Sequence, residues 1–495
     1  MSPQSRPHRP LLAVCGAFAL LSLALVPLTL PLGWDELVYA SRFSPYAPAT
    51  PFSAPRTRGV PFLIAPVASW SDSVVLLRVW LTLLATAALY LGFRPWLYVL
   101  RRRSAAAVAA ALYGALWFAL FYASGAMPNH YTAMGAVGAV GLFVRARQSS
   151  RTYPGIAAGL ALATLMRPND GAAVAVPLLL AALLVPLWRG RGRFLAVLGG
   201  LAAGALPWVV EAYVRFDGVR ERLARASEVQ GDLRPLLSFV HHITVMDGPL
   251  LCRPCGGDGL RPVHAEWWIL LPLLVGLGLW SARARTGAAA EAGTEAGTKA
   301  GTEAVGPKAP GRGPASAPDA LRACLLALTA ALAVALPYLL LVPYAAPRFL
   351  LPTHALLAPA AALGLLAVAD RARAVRWPRA AFAALVLALV GHLTLQLLLV
   401  HGNARIQAGA RGDWARIADA LHEHGIGRAP CVLSGNTSVI PISYASGCTP
   451  GGRGDEHRTT VLVLREAAPP RWARGWARHP VPDTYSPGWV IHVRP

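Results

Sequence analysis

Charge is what this sequence lacks first. Only 14% of its 495 residues are charged, against about 25% in an ordinary soluble protein. Acids are the scarcer sign: 24 Asp and Glu stand against 46 Lys and Arg, a formal net charge of +22. Such a balance suggests a nucleic-acid partner, but the arginines cluster between apolar segments and none of the standard nucleic-acid motifs is present, so nucleic acid is excluded as the reading. Also missing are a phosphate-binding G-x-x-x-x-G-K-[ST] loop, a G-x-G-x-x-G fingerprint and a G-x-S-x-G elbow. Their absence argues against a nucleotide-driven cytosolic machine.

What is there is hydrocarbon. Hydrophobic residues make up 55% of the chain and the mean hydropathy is +0.46. A bilayer core needs about 20 apolar residues per helix. Candidate spans lie at 11–32, 73–93, 104–124, 130–144, 153–166, 171–188, 194–212, 266–282, 323–343, 349–369 and 380–400. The expected fold is an all-α polytopic membrane protein with about 11 spans, of which 130–144 and 153–166 are short. Segment 11–32 is longer than a signal-peptide core, so it is read as a retained span.

Arginine sets the expected orientation. With the N-terminus cytoplasmic, the short inner loops hold 16 arginines and the short outer loops five, Arg42, Arg56, Arg58, Arg167 and Arg348. The chain then divides into a transmembrane domain, 1–400, and an extracytoplasmic C-terminal domain, 401–495. Within the first, 213–265 is a long outer loop. Residues 283–322, with repeated Glu-Ala-Gly-Thr, read as a disordered cytoplasmic linker. The tail shows a helix at 414–424 and strand-like runs at 431–433, 460–464 and 489–493, a small α/β domain.

Six cysteines are present. Cys15 and Cys324 lie in apolar segments and pack there. Cys252 with Cys255, and Cys431 with Cys448, fall on the outer side in this topology and are disulfide candidates. For the first pair a zinc half-site near His241, His242 and His264 is the rival reading.

The strongest local signal is Gly33-Trp34-Asp35-Glu36-Leu37-Val38-Tyr39. Two adjacent carboxylates at a membrane boundary cost desolvation unless they act; the bland reading is a helix N-cap at Asp35. Met127-Pro128-Asn129-His130-Tyr131 places His130 either at a substrate or at a helix cap. In Arg167-Pro168-Asn169-Asp170-Gly171, a turn by composition, the two charges either bind a ligand or pair with each other. Arg42 and Arg78 are read as snorkelling to lipid headgroups.

The acidic stretch, followed by Arg56-Thr57-Arg58-Gly59-Val60-Pro61, resembles the first outer loop of GT-C superfamily glycosyltransferases, which include protein mannosyltransferases and aminoarabinose transferases. Ala346-Pro347-Arg348-Phe349-Leu350-Leu351-Pro352 resembles the R-[YF]-x-x-P motif that opens a late helix in that superfamily. The resemblance implies transfer of a sugar from a polyprenyl-phosphate donor to an outer acceptor at the cell membrane. It makes Asp35 the general base, with Glu36 assisting or holding a divalent cation. Arg348, with Arg56, Arg58 and Arg167, would meet the donor phosphate. His130, Tyr39 and Asp170 are substrate-binding candidates. No cofactor is assigned; a divalent cation is the only candidate. A transporter or flippase for a lipid-linked substrate is the rival class, but it would place charge at the midplane and show repeats. An inactive envelope-assembly protein is a third reading. The dominance of Arg over Lys, with abundant Ala and Gly, is the mark of a GC-rich source such as an actinobacterium.

Overall fold

Each apolar stretch that is long enough to span a bilayer forms a helix, because only a helix satisfies every backbone group in hydrocarbon without a neighbour. The structure, a computed structural model, describes residues 8–45, 49–50, 52–100, 102, 104–146, 149–255, 261–299, 317–427, 430–452 and 454–495. Each of the eleven candidate spans contains helix, though the first is helical only to Leu25. Among the described residues seven helices are long and apolar enough to cross a membrane, from His8–Leu25 at the start to Pro378–Glu423 near the end. The segment read as one span over 104–124 is instead two helices, Ala105–Gly114 and Trp117–Ala123, bent by 79°. At the break the Trp117 backbone N–H donates to the Gln396 side chain at 2.9 Å, which satisfies an amide the helix no longer can. The helices Asn129–Arg145, Tyr153–Met166 and Pro168–Leu184 are shorter.

Helices pack closely where side chains are absent. A Cβ on Gly278 would lie 1.9 Å from the Ala360 carbonyl oxygen, and one on Gly364 would lie 2.0 Å from that of Leu274. Helices Pro262–Lys299 and Leu351–Ala374 therefore touch backbone to backbone, as small residues permit in membrane bundles. The helix Pro262–Lys299 runs into the stretch expected to be a disordered linker, and Ala317–Leu340 begins inside that stretch. The expectation is corrected at both ends: Ala is the best helix former, and a helix already nucleated extends at little cost. Residues 300–316 of that linker lie outside the described residues, as do Arg6, Arg101, Arg103 and Arg147 of the inner-loop arginines.

The tail is built on a five-stranded sheet. Its strands are β1 (Val432–Gly435), β2 (Thr449–Pro450), β3 (Val461–Arg465), β4 (Ala477–Pro480) and β5 (Trp489–Val493), in the order β2-β1-β3-β5-β4. β1 runs parallel to β2 and β3, and β5 runs antiparallel to β3 and β4. Val461 and Val463 face a core with Ile417, Leu421, Leu433 and Ile491. Leu462 and Leu464 face Trp472 and Trp476 on the other side. That is why β3 reads as an unbroken apolar run rather than an alternation. Cys431 and Cys448 are joined by a disulfide just ahead of β1 and β2, and Thr449 N–H donates to the Cys431 carbonyl at 2.9 Å. The helix expected at 414–424 is the end of the 46-residue helix Pro378–Glu423, so the last span enters the tail without a break.

By contacts the chain forms two compact units. One comprises residues 1–21, 84–120 and 128–399; the other comprises 22–83, 121–127 and 400–495. The first loop thus belongs with the tail, a grouping that the division at residue 400 did not anticipate.

Candidate active site

In the unit that contains the tail, the helix Trp34–Ala40 starts behind Gly33, with Asp35 and Glu36 in its first turn, where acids favour the helix dipole. Gly33, not Asp35, is the N-cap. Glu36 is only 4% exposed. Its Oε1 accepts from Arg78 at 2.6 Å and from the Ala126 backbone N–H at 2.8 Å. Its Oε2 accepts from the Gly33 N–H at 2.6 Å, Arg78 at 3.0 Å and Arg411 at 3.2 Å. Burial pushes the Glu36 carboxyl up, but the two guanidiniums outweigh it and hold it at about 2. Arg78 also donates to the carbonyls of Ser124, Leu30 and Pro31, and Arg411 to that of Pro31.

This arrangement corrects two readings. Arg78 does not snorkel: its side chain is 2% exposed and lies against Glu36. Glu36 is neither placed to take a proton nor open to a cation, since both of its oxygens are occupied by donors. It anchors the helix, and a buried carboxylate can be held this way only if its hydrogen bonds are complete.

Asp35 has a different environment. Its carboxylate accepts from Arg56, and the two side chains are 28% and 20% exposed. Arg56 also bonds the Tyr39 hydroxyl, which accepts the Thr57 N–H at 3.4 Å. Burial pushes the Tyr39 phenol up to about 12, so it stays a neutral orienting group. Arg58 and Arg42 lie over the Phe52 ring at 4.2 and 4.4 Å, and Phe52 meets Tyr39 edge-on. Asp35, Tyr39 and Arg56 therefore come together, with Arg58 beside them. A carboxylate held by a guanidinium and partly open to solvent has the makings of a proton acceptor.

The other unit holds a second cluster. Arg167 pairs with Asp170 at 2.9 Å, Tyr338 donates to Asp170 at 2.6 Å, and Arg167 bonds the Tyr338 hydroxyl. Arg167 and Arg348 each lie 5.3 Å from the centroid of the Phe349 ring. Arg348 donates to the Leu250 carbonyl at 2.9 Å. Two residues on, Cys252 and Cys255 are bonded to each other, which leaves no thiolate pair for zinc. Cys252 N–H donates to the Ala345 carbonyl at 3.0 Å, tying this turn to the segment that carries Arg348. Asp170 is 3% exposed and serves Arg167 rather than standing open as a substrate contact. His130 is corrected too: it is 1% exposed, bonded to Tyr113 at 3.0 Å and to the Ala85 carbonyl at 2.9 Å, and stacked on Phe18. It is a core residue with both ring nitrogens engaged. Among the described residues no group of three or more His, Cys, Asp or Glu is placed to hold a metal ion.

No family model matches the sequence, and no curated protein matches it. Solved structures match it in fold. ArnT from Cupriavidus metallidurans bound to undecaprenyl phosphate superposes with a TM-score of 0.59, at 14% identity, over 97% of each chain. The oligosaccharyltransferase AglB from Archaeoglobus fulgidus, in complex with an inhibitory peptide and a dolichol-phosphate, gives 0.51 at 12% identity, over 92% of this chain and 69% of that one. The chain has the GT-C fold. Like these relatives in architecture, it is a multi-pass membrane protein. Two residues are central to the acidic cluster of this GT-C chain: Arg78, inside an apolar span and expected from the sequence to snorkel, and Arg411, 375 positions beyond Glu36 and not singled out in sequence. A single arginine within a span is itself a signal, because it is costly there without a partner.

Proposed function

We propose that this protein transfers a sugar from a polyprenyl-phosphate-linked donor to an acceptor hydroxyl, with Asp35 as general base. The observation that carries the reading is the contrast between neighbouring carboxylates: Glu36 is saturated and buried, while Asp35 pairs with Arg56 and is partly exposed. The bound polyprenyl phosphates of the two structural neighbours support the donor class. In the step, Asp35 takes the acceptor's hydroxyl proton as that oxygen bonds the anomeric carbon. The bond from that carbon to the phosphate oxygen breaks, and its electrons leave with the phosphate. Arg348 and Arg167, which lie beside Phe349, are the residues proposed to meet the donor phosphate, since a planar fork suits such a leaving group. The N-terminus is cytoplasmic in this reading, and the tail and the active face lie outside, where lipid-linked rather than nucleotide-linked sugars serve.

Purified protein incubated with radiolabelled polyprenyl-phosphate sugars and envelope acceptors tests the reading. Label should move to acceptor as donor is lost; neither event over the full range of donors would overturn it. A reporter fused after Arg411 should be active outside the cytoplasm and one fused between Glu291 and Lys299 active inside; the reverse pattern sinks the orientation.

A further inference from the structure

The helix Pro378–Glu423 presents two residues, two positions apart, to different parts of the same unit. Asp413 is fully buried and accepts from the backbone N–H groups of Tyr485 at 2.6 Å and Ser486 at 2.9 Å. It thereby fixes the tail's last turn before β5. The Tyr485 ring rests on Gly409, where a Cβ would come within 2.4 Å of it. Arg411, between these two positions, reaches the other way. It bonds Glu36 at 3.2 Å and the Pro31 carbonyl at 2.8 Å, and its guanidinium sits so close to Gly33 that a Cβ there would come within 2.9 Å. A second tether runs in parallel: the tail helix Val439–Ser446 packs on Trp34–Ala40, and Tyr444 hydrogen-bonds Ser44.

We propose that Arg411 is a positioning residue: by holding Glu36 from the tail side while Arg78 holds it from the span side, it fixes the helix on which Asp35 meets Arg56. The tail is then part of the active machinery rather than an appended domain. Residue 36 follows residue 35 on one rigid helical turn, so a shift of Glu36 is a shift of Asp35. Two cations on one carboxylate over-determine its place, and losing either leaves the other buried with half its partner's attention. This inference rests on the reading of Asp35 as the base.

The test uses the full-length protein in nanodiscs, as Arg411→Gln and as Arg411→Lys. Hydrogen exchange is followed at residues 33–40 and in the tail strands β3 and β5. In Arg411→Gln, residues 33–40 should exchange about tenfold faster or more, as a lost buried ion pair implies, while β3 and β5 keep their protection; Arg411→Lys should recover part of the difference. Wild-type protection at 33–40 in Arg411→Gln would overturn the clamp. So would loss spread equally over β3 and β5, which would make Arg411 a general stabiliser. The kinetic arm separates position from stability. In Arg411→Gln, kcat should fall with donor KM unchanged, and Arg411→Lys should recover part of the lost kcat. A loosened helix with unchanged kcat would overturn the positioning role. If Asp35→Asn itself transfers at the wild-type rate, the base reading fails, and the exchange result still decides whether Arg411 clamps the helix.

Discussion

The arginines of the two units meet different partners. In the unit containing the tail, Arg78 and Arg411 converge on one carboxylate, and Glu36 answers both. In the other, Arg167 and Arg348 converge on one aromatic ring, and Asp170 is occupied by Arg167 and Tyr338. Charge matched by charge in a buried site builds structure. In the other unit the guanidiniums also lie against a ring, Arg167 while paired with Asp170, and a planar fork is the geometry that takes a phosphate. On the proposed function, the first cluster holds the molecule together and the second meets the donor.

The largest effect should come from breaking the matched cluster. Glu36→Ala strands two buried guanidiniums, which costs about 3–5 kcal/mol; the fraction surviving as monodisperse protein during heating should drop sharply. Acid should act on the same group. The Glu36 pKa is lowered from its ordinary value of 4.5 to about 2 on folding, so its contribution is full above pH 4.5 and disappears as pH falls through that window. A melting temperature unaffected by Glu36→Ala would show that the cluster is incidental.

Arg348→Lys probes the other region at a smaller scale. The charge stays and the fork goes, so kcat/KM for the donor should fall about tenfold with no change in folding; unchanged donor kinetics would return Arg348 to a structural part. The mildest change is Gly33→Ala. The added methyl meets the Arg411 guanidinium, whose position is pinned, and the strain should cost about 1 kcal/mol. If Gly33→Ala is silent, Arg411 is not held tightly.

These contrasts also explain what was legible in the sequence. Spans such as Ala320–Leu340 declare themselves, because length and apolarity are local properties. Strands β3 and β5 did too, since Val461–Leu464 and Trp489–Val493 are dense in β-branched and aromatic residues. The break at Ala115–Leu116 was hidden because the partner that stabilises it, Gln396, lies 279 residues from Trp117. Asp35 and Arg56 stood out as a motif, and they do meet. Glu36 was grouped with Asp35 by adjacency, yet its environment is set by Arg78 and Arg411, 42 and 375 positions away. No local pattern distinguishes two neighbouring carboxylates when long-range partners decide which one is filled. The same holds for His130, whose loop-like surroundings in sequence fold into a core with Tyr113 and Phe18.

The most direct test sets the two carboxylates side by side in the donor assay, with folding monitored in parallel. Asp35→Asn keeps the size and much of the hydrogen bonding of the native side chain, but an amide cannot accept the proton. It should fold and insert as wild type while transfer falls by about 10²–10⁴-fold. Asp35→Asn protein that transfers sugar at the wild-type rate would contradict the account.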